Sequence, residues 1–387
     1  MAVGPGAVVE AFFVDLTDPR VDRGKNHNLL EMIFMALTAT LCGAQGWADV
    51  ERFVRSKRSW FRQFIALEHG VPSHDTFSRV FARLDTAEFL SAMHAWVDSF
   101  AASLRGQGVA IDGKTLRGSF DRAAGKSPLH TITAFACDLR ICLRQMAVDD
   151  KSNEIPAVRE LLGLMELSGA TVTLDAMHCQ VETAAAIQAA NADYILIVKG
   201  NQESLHQALR DRFIEYGEAD YQIAGLRRHV AVEKSHGRRE RREIHVIEAP
   251  TDEPALSRWP GVRSIGMIYR RRESGARTQE ETSFFMTSHP PKVRMLSGYL
   301  RGHWGIENRQ HWILDVIFSE DASRIRKGNA PEIAGAFRRL ALNILQRDTS
   351  IKENIRGKRL RAGWDERVLN AIYAGISAVC TCDFPGH

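Results

Sequence analysis

The stretch Val109–Ser119, reading V-A-I-D-G-K-T-L-R-G-S, decides how the rest of the chain is read. Val109, Ala110 and Ile111 form a short apolar run of the kind that fills a buried strand, and it stops in Asp112, Gly113 and Lys114. An apolar strand that ends in a carboxylate and a glycine presents that carboxylate at the edge of the sheet, where α/β proteins build their sites. Asp112-Gly113 is also a common turn dipeptide. The choice between turn and site therefore rests on what lies downstream.

Downstream, His130–Cys137 alternates as a second strand and Ile141–Val148 reads as a third, with gaps short enough for an antiparallel meander. Glu154–Leu167 carries Ile155, Val158, Leu161, Leu162 and Met165 at helical spacing. Thr171–Asp175 is a fourth strand that stops in another aspartate, Val181–Ala190 is a helix, and Tyr194–Lys199 is a fifth strand. Three strands, helix, strand, helix, strand is the order of a ribonuclease H-like α/β fold, in which the first and fourth strands lie side by side. Asp112 and Asp175 are then expected on neighbouring strands.

Upstream, residues 1–105 read as an all-helical N-terminal domain, with helices over Leu29–Cys42, from Trp47, from Ser73, and over Glu88–Leu104. The basic residues on their outer faces (Arg52, Arg55, Lys57, Arg58, Arg79, Arg83) fit a DNA-binding module and fit a plain helical domain with solvated charges equally well. The core begins at 106 and runs to 204. Residues 205–290 read as a β-rich, basic insertion; residues 227–242 alone hold seven Arg and Lys against two Glu. Helices return over 291–346, with Ile333, Phe337, Leu340 and Ile344 on one stripe, and 347–387 reads as a basic C-terminal tail with frayed last residues.

The chain has 51 Lys and Arg against 47 Asp and Glu, so any nucleic-acid surface must come from local clusters rather than net charge. Leu29–Ala44 is the most apolar segment, but Glu31, Thr38 and Thr40 within it favour a buried helix over a membrane span. No signal peptide is read at the N-terminus, and the six cysteines form no C-x-x-C pair; Cys380-Thr-Cys382 reads as incidental. A reduced, cytoplasmic protein is the simplest expectation.

Two aspartates on adjacent strands, joined by a carboxylate from a helix, can hold two magnesium ions about 3.5–4 Å apart. Oxygen ligands of this kind suit Mg²⁺ or Mn²⁺. The helical acid is best sought in Arg301–Asp315, where Glu307 stands among Arg301, His303, Asn308 and His311. Asp315, Glu320 and Asp321 follow closely and remain open as alternatives. Trp304 and Trp312 are read as core.

Together, IDGKTLRGS around Asp112, TLDAMHCQ around Asp175, YILIVKGNQ, and RGHWGIENRQHWILDVIFSED around Glu307 resemble the ISAs-type insertion-sequence DDE transposases, including the H-repeat-associated proteins. DPRVDRGKNHNLLE, GVPSHDTFSRVFARLD, DDKSNEIPAVRELL and SHGRRERR agree as well, so the resemblance spans roughly residues 10–365. It implies a metal-dependent DNA strand transferase with Asp112, Asp175 and Glu307 as its catalytic, metal-binding triad. Residues 113 to 174 lie between the aspartates, and the long interval from 176 to 306 accommodates the insertion. Broader relatives carry a Y-x2-R-x3-E-x6-K signature around the glutamate; here those positions are Leu300, His303 and Leu314, with Tyr299 one residue early.

This reading adds expectations. Lys114, Arg117, Lys199, Asn201, Gln202, Arg238, Arg239, Arg301, His303, Asn308 and His311 are candidate DNA contacts. His178 and Gln180 are candidates to orient water or DNA, and Gly113 makes room for a metal or a DNA backbone. The partner is double-stranded DNA, element ends and target, with a homo-oligomer assembled on it and no membrane. A catalytically inactive DNA-binding remnant and a ribonuclease H-like nuclease without strand joining are the competing readings.

Overall fold

In the computed structural model, which describes residues 4–101, 103–121, 125–148, 154–235, 238–275 and 277–380, the first strand is longer than the apolar run predicts: β1 spans Gly108–Thr115. The two neighbours of β1 end at different heights. Antiparallel β2 (His130–Ala136) continues to pair through Asp112↔Thr133, Lys114↔Thr131 and Thr115↔His130. Parallel β4 (Thr171–Leu174) stops at Ile111↔Leu174. Asp112 is thus held firmly on one side and is the first residue beyond the pairing on the other. Asp175, following Leu174 directly, opens on the same gap.

The sheet has the order β3-β2-β1-β4-β5-β9-β8-β7-β6, with β3 (Ile141–Val148) antiparallel to β2 and β5 (Asp193–Val198) parallel to β4. Its first five strands are the ribonuclease H-like arrangement that the order of elements predicts. Helices α7 (Glu154–Gly163) and α8 (Val181–Ala189) make the connections.

The segment after β5 builds no separate layer. Strands β6 (Arg227–Ser235), β7 (Arg238–Glu248), β8 (Ser264–Ser274) and β9 (Arg277–Thr287) extend the same sheet, because β9 pairs with β5 from Ile195↔Thr287 to Val198↔Phe284. Their inner halves (Ile244, Val246, Ile265, Ile268, Phe284, Phe285, Met286) are buried, and their outer halves carry the charge. The strand-rich expectation from 205 fails at its start. There α9 (Glu203–Glu218) forms, since Leu205, Leu209, Phe213 and Tyr216 recur at helical spacing and Phe213 meets Phe284 of β9 at 5.9 Å.

The N-terminal helices are α1 (Pro5–Phe13), α2 (Leu29–Leu41), α3 (Trp47–Ser56), α4 (Arg58–Phe61), α5 (His74–Phe81) and α6 (Thr86–Phe100). Asn28, Ser73 and Asp85 cap α2, α5 and α6 by accepting from first-turn amides. Packed against β1 and β4, α10 (Val293–Ile306) leads through a π-helical turn, Glu307–His311, into α11 (Trp312–Val316).

Helix α12 (Ala330–Arg347) is buried nearly from end to end and lies between the N-terminal helices and β3. Its Phe337 meets Phe81 and Phe89 at 5.4 and 5.1 Å, so one hydrophobic core runs from α1 into the sheet. The basic segment after 347 is no loose arm. It folds as α13 (Ile355–Trp364) and α14 (Glu366–Cys380) back onto the N-terminal helices. Trp60 Nε1 donates to Asn370 Oδ1 at 2.8 Å, and the Thr38 and Tyr373 hydroxyls bond at 2.7 Å. Lys358 and Arg359 are buried, the first on Asp348 at 3.0 Å and the second on the Thr40 carbonyl at 2.8 Å. Much of the basic composition there serves the core. Cys382 and the last residues lie outside the described residues.

Among the described residues no helix is long and apolar enough to cross a membrane, and Leu29–Leu41 is a core helix.

Candidate active site

The sheet gap between β1 and β4 opens into a cavity of about 550 Å³ lined by Asp112, Asp175 and Glu307 together with Lys199, Arg301, His303, Asn308 and Arg309. Arg242, Arg270, Arg272, Glu233, Glu240 and Glu281 from the added strands close its other wall. Three carboxylates from segments far apart in sequence therefore face one space.

Helix α10 is brought to β1 by shape. Ile306 packs with Ala110, Phe135 and Cys137, and a Cβ on Gly302 would lie 3.0 Å from the Cys137 Cβ, so a larger residue would push the helix off the sheet. Glu307 follows Ile306 at the entrance of the π-helical turn. Such turns are rare and occur mostly at functional sites. Here the turn delivers both Glu307 to the cavity and His311 to Asp112, whose Oδ2 is 3.7 Å from His311 Nδ1.

Electrostatics separate the two aspartates. Burial pushes the Asp112 carboxyl up to about 6; Asp175 and Glu307 push it the same way, against His303 and the Gly113 amide, which donates to Asp112 Oδ1 at 2.9 Å. His303, close beside Asp175, holds that carboxyl below the usual carboxylate range, over the opposing cost of burial. His303 is itself buried, with Nδ1 3.1 Å from Thr173 Oγ1 and Nε2 3.8 Å from Asp175 Oδ1. Burial, with Arg339 and Lys114 nearby, pushes His311 down to about 4 and leaves it neutral at neutral pH.

Three convergent carboxylates, the buried Asp112 among them with its carboxyl pushed up to about 6, offer the hard oxygen donors that fit divalent metal ions. Among the described residues no three His, Cys, Asp or Glu groups are already closed around one point.

The other acids in the glutamate segment are differently placed. Lys114 is buried and its Nζ lies 2.5 Å from Asp315, 3.3 Å from Glu320 and 3.3 Å from Asp321. Burial opposes its charge, but Glu320, then Asp315 and Asp321, outweigh that and hold the ammonium above its ordinary value. Glu320 is also paired with Arg339 at 2.8 Å. Asp315 and Glu320 are thus neutralised within the fold, while Glu307 is exposed to the cavity.

The remaining candidates divide. Lys199, Arg301, His303 and Asn308 line the cavity, and Arg301 pairs with Glu233 at 2.8 Å. Lys114 is turned inward to its acids and offers no ammonium to a phosphate. Arg117 is exposed beside Asp321, and Arg239 is exposed 3.9 Å from Glu273, both away from the cavity lining. Arg238 begins β7 opposite Ser235; its side chain lies outside the described residues.

Asn201 donates to the Ala176 carbonyl at 2.7 Å and Gln202 to the Cys179 carbonyl at 2.9 Å, so both brace the turn after Asp175. Gln180 joins that brace through Gln202 at 3.4 Å. His178 is buried 3.6 Å from Glu154, and burial pushes it down to about 4. Gly113 makes no room for a ligand; a Cβ there would meet His130 Nε2 at 2.9 Å and Glu154 Oε2 at 3.0 Å. Trp304 lies half-buried beneath Arg270, 5.2 Å from guanidinium to ring, and Trp312 is 53% exposed, contrary to its reading as core.

Sequence reasoning missed Arg270 and Arg272 as cavity residues, and reached Arg242 only as the end of the Arg227–Arg242 cluster read as a phosphate-binding stretch. Alternation along β7 and β8 was the available signal, but it says which face only once a register is known.

Comparison with known proteins gives the family of the chain. The family model described as "Transposase DDE domain" matches residues 103–344, and "DDE_Tnp_1-associated" matches residues 10–97. "Putative transposase YncI" of Escherichia coli O157:H7 is 32% identical over 94% of this chain and 93% of its own length. "H repeat-associated putative transposase YhhI" of Escherichia coli (strain K12) is 33% identical over 90% of this chain and 93% of its own. Such coverage leaves little of either relative without a counterpart here.

Proposed function

Because the chain belongs to the DDE transposase family of insertion sequences, we propose that it cuts element ends by metal-dependent phosphodiester hydrolysis and joins the 3′-hydroxyl to target DNA. Asp112, Asp175 and Glu307 are its catalytic and metal-binding residues. The observation that carries this is their convergence on one cavity from three segments, with the Asp112 carboxyl pushed up to about 6 by burial and by the other two.

Two divalent ions, Mg²⁺ or Mn²⁺, would supply an activated water or 3′-hydroxyl and stabilise the leaving oxygen. The chain's own part is positional. Asp112 and Asp175 sit beyond the last paired rung of β1 and β4, so their carboxylates are fixed by the sheet yet open to the gap. Glu307 completes the set from the turn that follows α10, and the three carboxylates would hold the ions. His303 orients Asp175, and His311, neutral at neutral pH, approaches Asp112 without competing with a cation. Lys199, Arg301 and Asn308 are placed at the cavity to take DNA phosphates.

Double-stranded DNA is the partner, with two or more copies assembled on it and a cytoplasmic location. Asp112→Asn is expected to abolish Mg²⁺-dependent cleavage while duplex binding stays near the wild-type level; cleavage at the wild-type rate would refute the assignment. Supplying a pre-cut end and a target plasmid separates the alternatives. Joined product marks a transposase, cutting alone a nuclease, and a mobility shift alone an inactive binder.

A further inference from the structure

The cavity wall opposite the three carboxylates has a pattern of its own. Cross-strand register puts Glu233, Glu240, Arg272 and Gln279 in one row across β6–β9 and Ala231, Arg242, Arg270 and Glu281 in the next. Residues directly opposite share a face, so both rows look into the cavity, as its lining confirms for the charged members. Two of the pairs are like-charged, Glu233 against Glu240 and Arg242 against Arg270. Like charges directly opposite destabilise a sheet, so the sheet's own stability does not account for the pattern.

Each of the wall's three arginines, and Arg301 from α10, is held by a glutamate. Arg242 pairs with Glu240 at 2.6 Å and Glu233 at 3.3 Å, Arg272 with Glu240 at 2.8 Å, Arg301 with Glu233 at 2.8 Å, and Arg270 with Glu281. The wall is also indexed to the site. The inner ends of β7 and β8 (Ile244, Val246, Ile268) pack on Leu296 and Leu300 of α10, and Trp304, one turn on, lies under Arg270. Glu307 follows on the same helix within one further turn.

We propose that this wall is a phosphate-binding surface for a DNA strand entering the cavity, and that Glu233, Glu240 and Glu281 occupy the phosphate positions until DNA displaces them. The inference rests on the DNA-processing reading above. Guanidinium forks match carboxylate and phosphate with the same two-point geometry, so the exchange needs little rearrangement of the arginines. The glutamates weaken binding and act as a filter, since a ligand gains the surface only by offering several phosphates at once.

The exchange has a signature in salt dependence. A lysine or arginine that meets a phosphate releases a counterion, steepening the fall of affinity with salt by roughly 0.9 per contact. An arginine that leaves a glutamate for a phosphate releases no net ion, because the freed carboxylate takes one up. The test uses the full chain, without metal, and a fluorescein-labelled duplex of arbitrary sequence, read by anisotropy over a salt series. Glu233→Gln, Glu240→Gln and Glu281→Gln combined are expected to tighten binding about tenfold or more at low salt and to steepen the log–log slope by roughly 0.9 for each arginine set free. Adding Arg242→Gln and Arg272→Gln should remove about half of the added slope and loosen binding again, since Arg270 and Arg301 stay free.

Unchanged or weaker binding with an unchanged slope in the glutamine variant overturns the proposal, and so does a wild-type chain that fails to bind duplex. If the triple variant does not fold, the half-exposed pair Glu233→Gln and Glu281→Gln carries the same test with a smaller steepening. Chemistry does not enter this measurement, so cleavage by Asp112→Asn would refute the catalytic assignment and leave this result standing.

Discussion

Two groups of three acids lie close together in this molecule and behave as opposites. Asp315, Glu320 and Asp321 surround the buried ammonium of Lys114, and Arg339 takes the second side of Glu320. Asp112, Asp175 and Glu307 surround a cavity, and among the described residues the aspartates meet only imidazoles within ion-pairing reach, His311 at 3.7 Å and His303 at 3.8 Å. Burial opposes the charge of Glu320 as it does that of Asp112. Yet Arg339 and Lys114 hold Glu320 below its ordinary value, while Asp112 rises to about 6. The first group closes its charge balance inside the fold, and the second leaves it open to a ligand. Lys114 follows Asp112 by two residues on the same strand face, so a single strand serves both.

If that division is right, mutations in the two groups fail in different ways. The largest effect belongs to the open group: Asp175→Asn or Glu307→Gln should reduce Mg²⁺-dependent cleavage by about a thousandfold or more, since each removes charge that the ions need. Neither should lower the melting temperature by more than a degree or two. A folded variant that still cleaves at a tenth of the wild-type rate would remove that residue from the triad. In the closed group Glu320→Gln leaves Arg339 buried without its counter-charge and takes one of three acids from Lys114, and breaking such a buried pair costs about 3–5 kcal/mol. Urea unfolding should show that loss; a change below about 1 kcal/mol would mean the network is only decorative.

Asp112 joins the two behaviours. Its folded pKa lies above its unfolded one, so the fold binds the proton more tightly between pH 3.8 and about 6, and stability falls as pH rises through that window. The shift is worth at most about 3 kcal/mol at pH 7, and less because the carboxylate is 31% exposed. Asp112→Asn should therefore raise the melting temperature above pH 6 while abolishing cleavage. Mg²⁺ should raise the wild-type melting temperature above pH 6 and progressively less below it. A stabilisation by Mg²⁺ that is the same at pH 5 and pH 8 would contradict the placement of the ion at Asp112.

The sequence made one group legible and hid the other for a physical reason. Asp112 and Asp175 end short apolar runs, and a strand's core residues and its last rung are neighbours in sequence. The order of five strands and two helices follows from the same local pattern. Glu307 was preferred on its polar neighbours and on the family resemblance, but the pairing that engages Asp315 and Glu320 was hidden, because it depends on Lys114 reaching across some two hundred residues of chain. No local signal marks the π-helical turn that turns Glu307 and His311 inward. Charge counts over 227–242 showed arginines, but their glutamate partners on the cavity face emerge only from the register of four strands. The same blindness applied to residues after 347, where basic composition masked Leu369, Ile372, Tyr373 and Ile376, spaced for one buried helix face.

The smallest expected effect probes why imidazoles, and not lysines, stand beside the open group. A lysine at His303 would keep its charge and compete with a metal ion for Asp175, whereas an imidazole can be neutral and stay in place when a cation arrives. What keeps the His303 ring aimed at Asp175 is the bond between its Nδ1 and Thr173 Oγ1 on β4. Thr173→Val keeps the volume and removes the hydroxyl, at a stability cost of about 1 kcal/mol. Asp175 should then titrate closer to the ordinary carboxylate range, since the neighbouring His303 is the largest influence holding it down. Carboxyl-carbon NMR of the metal-free protein reads that rise directly, and cleavage should slow by only a few-fold. If Asp175 titrates unchanged in Thr173→Val, the ring is aimed by packing alone, and the open group owes its geometry to the buried neighbours of His303 rather than to the strand hydroxyl.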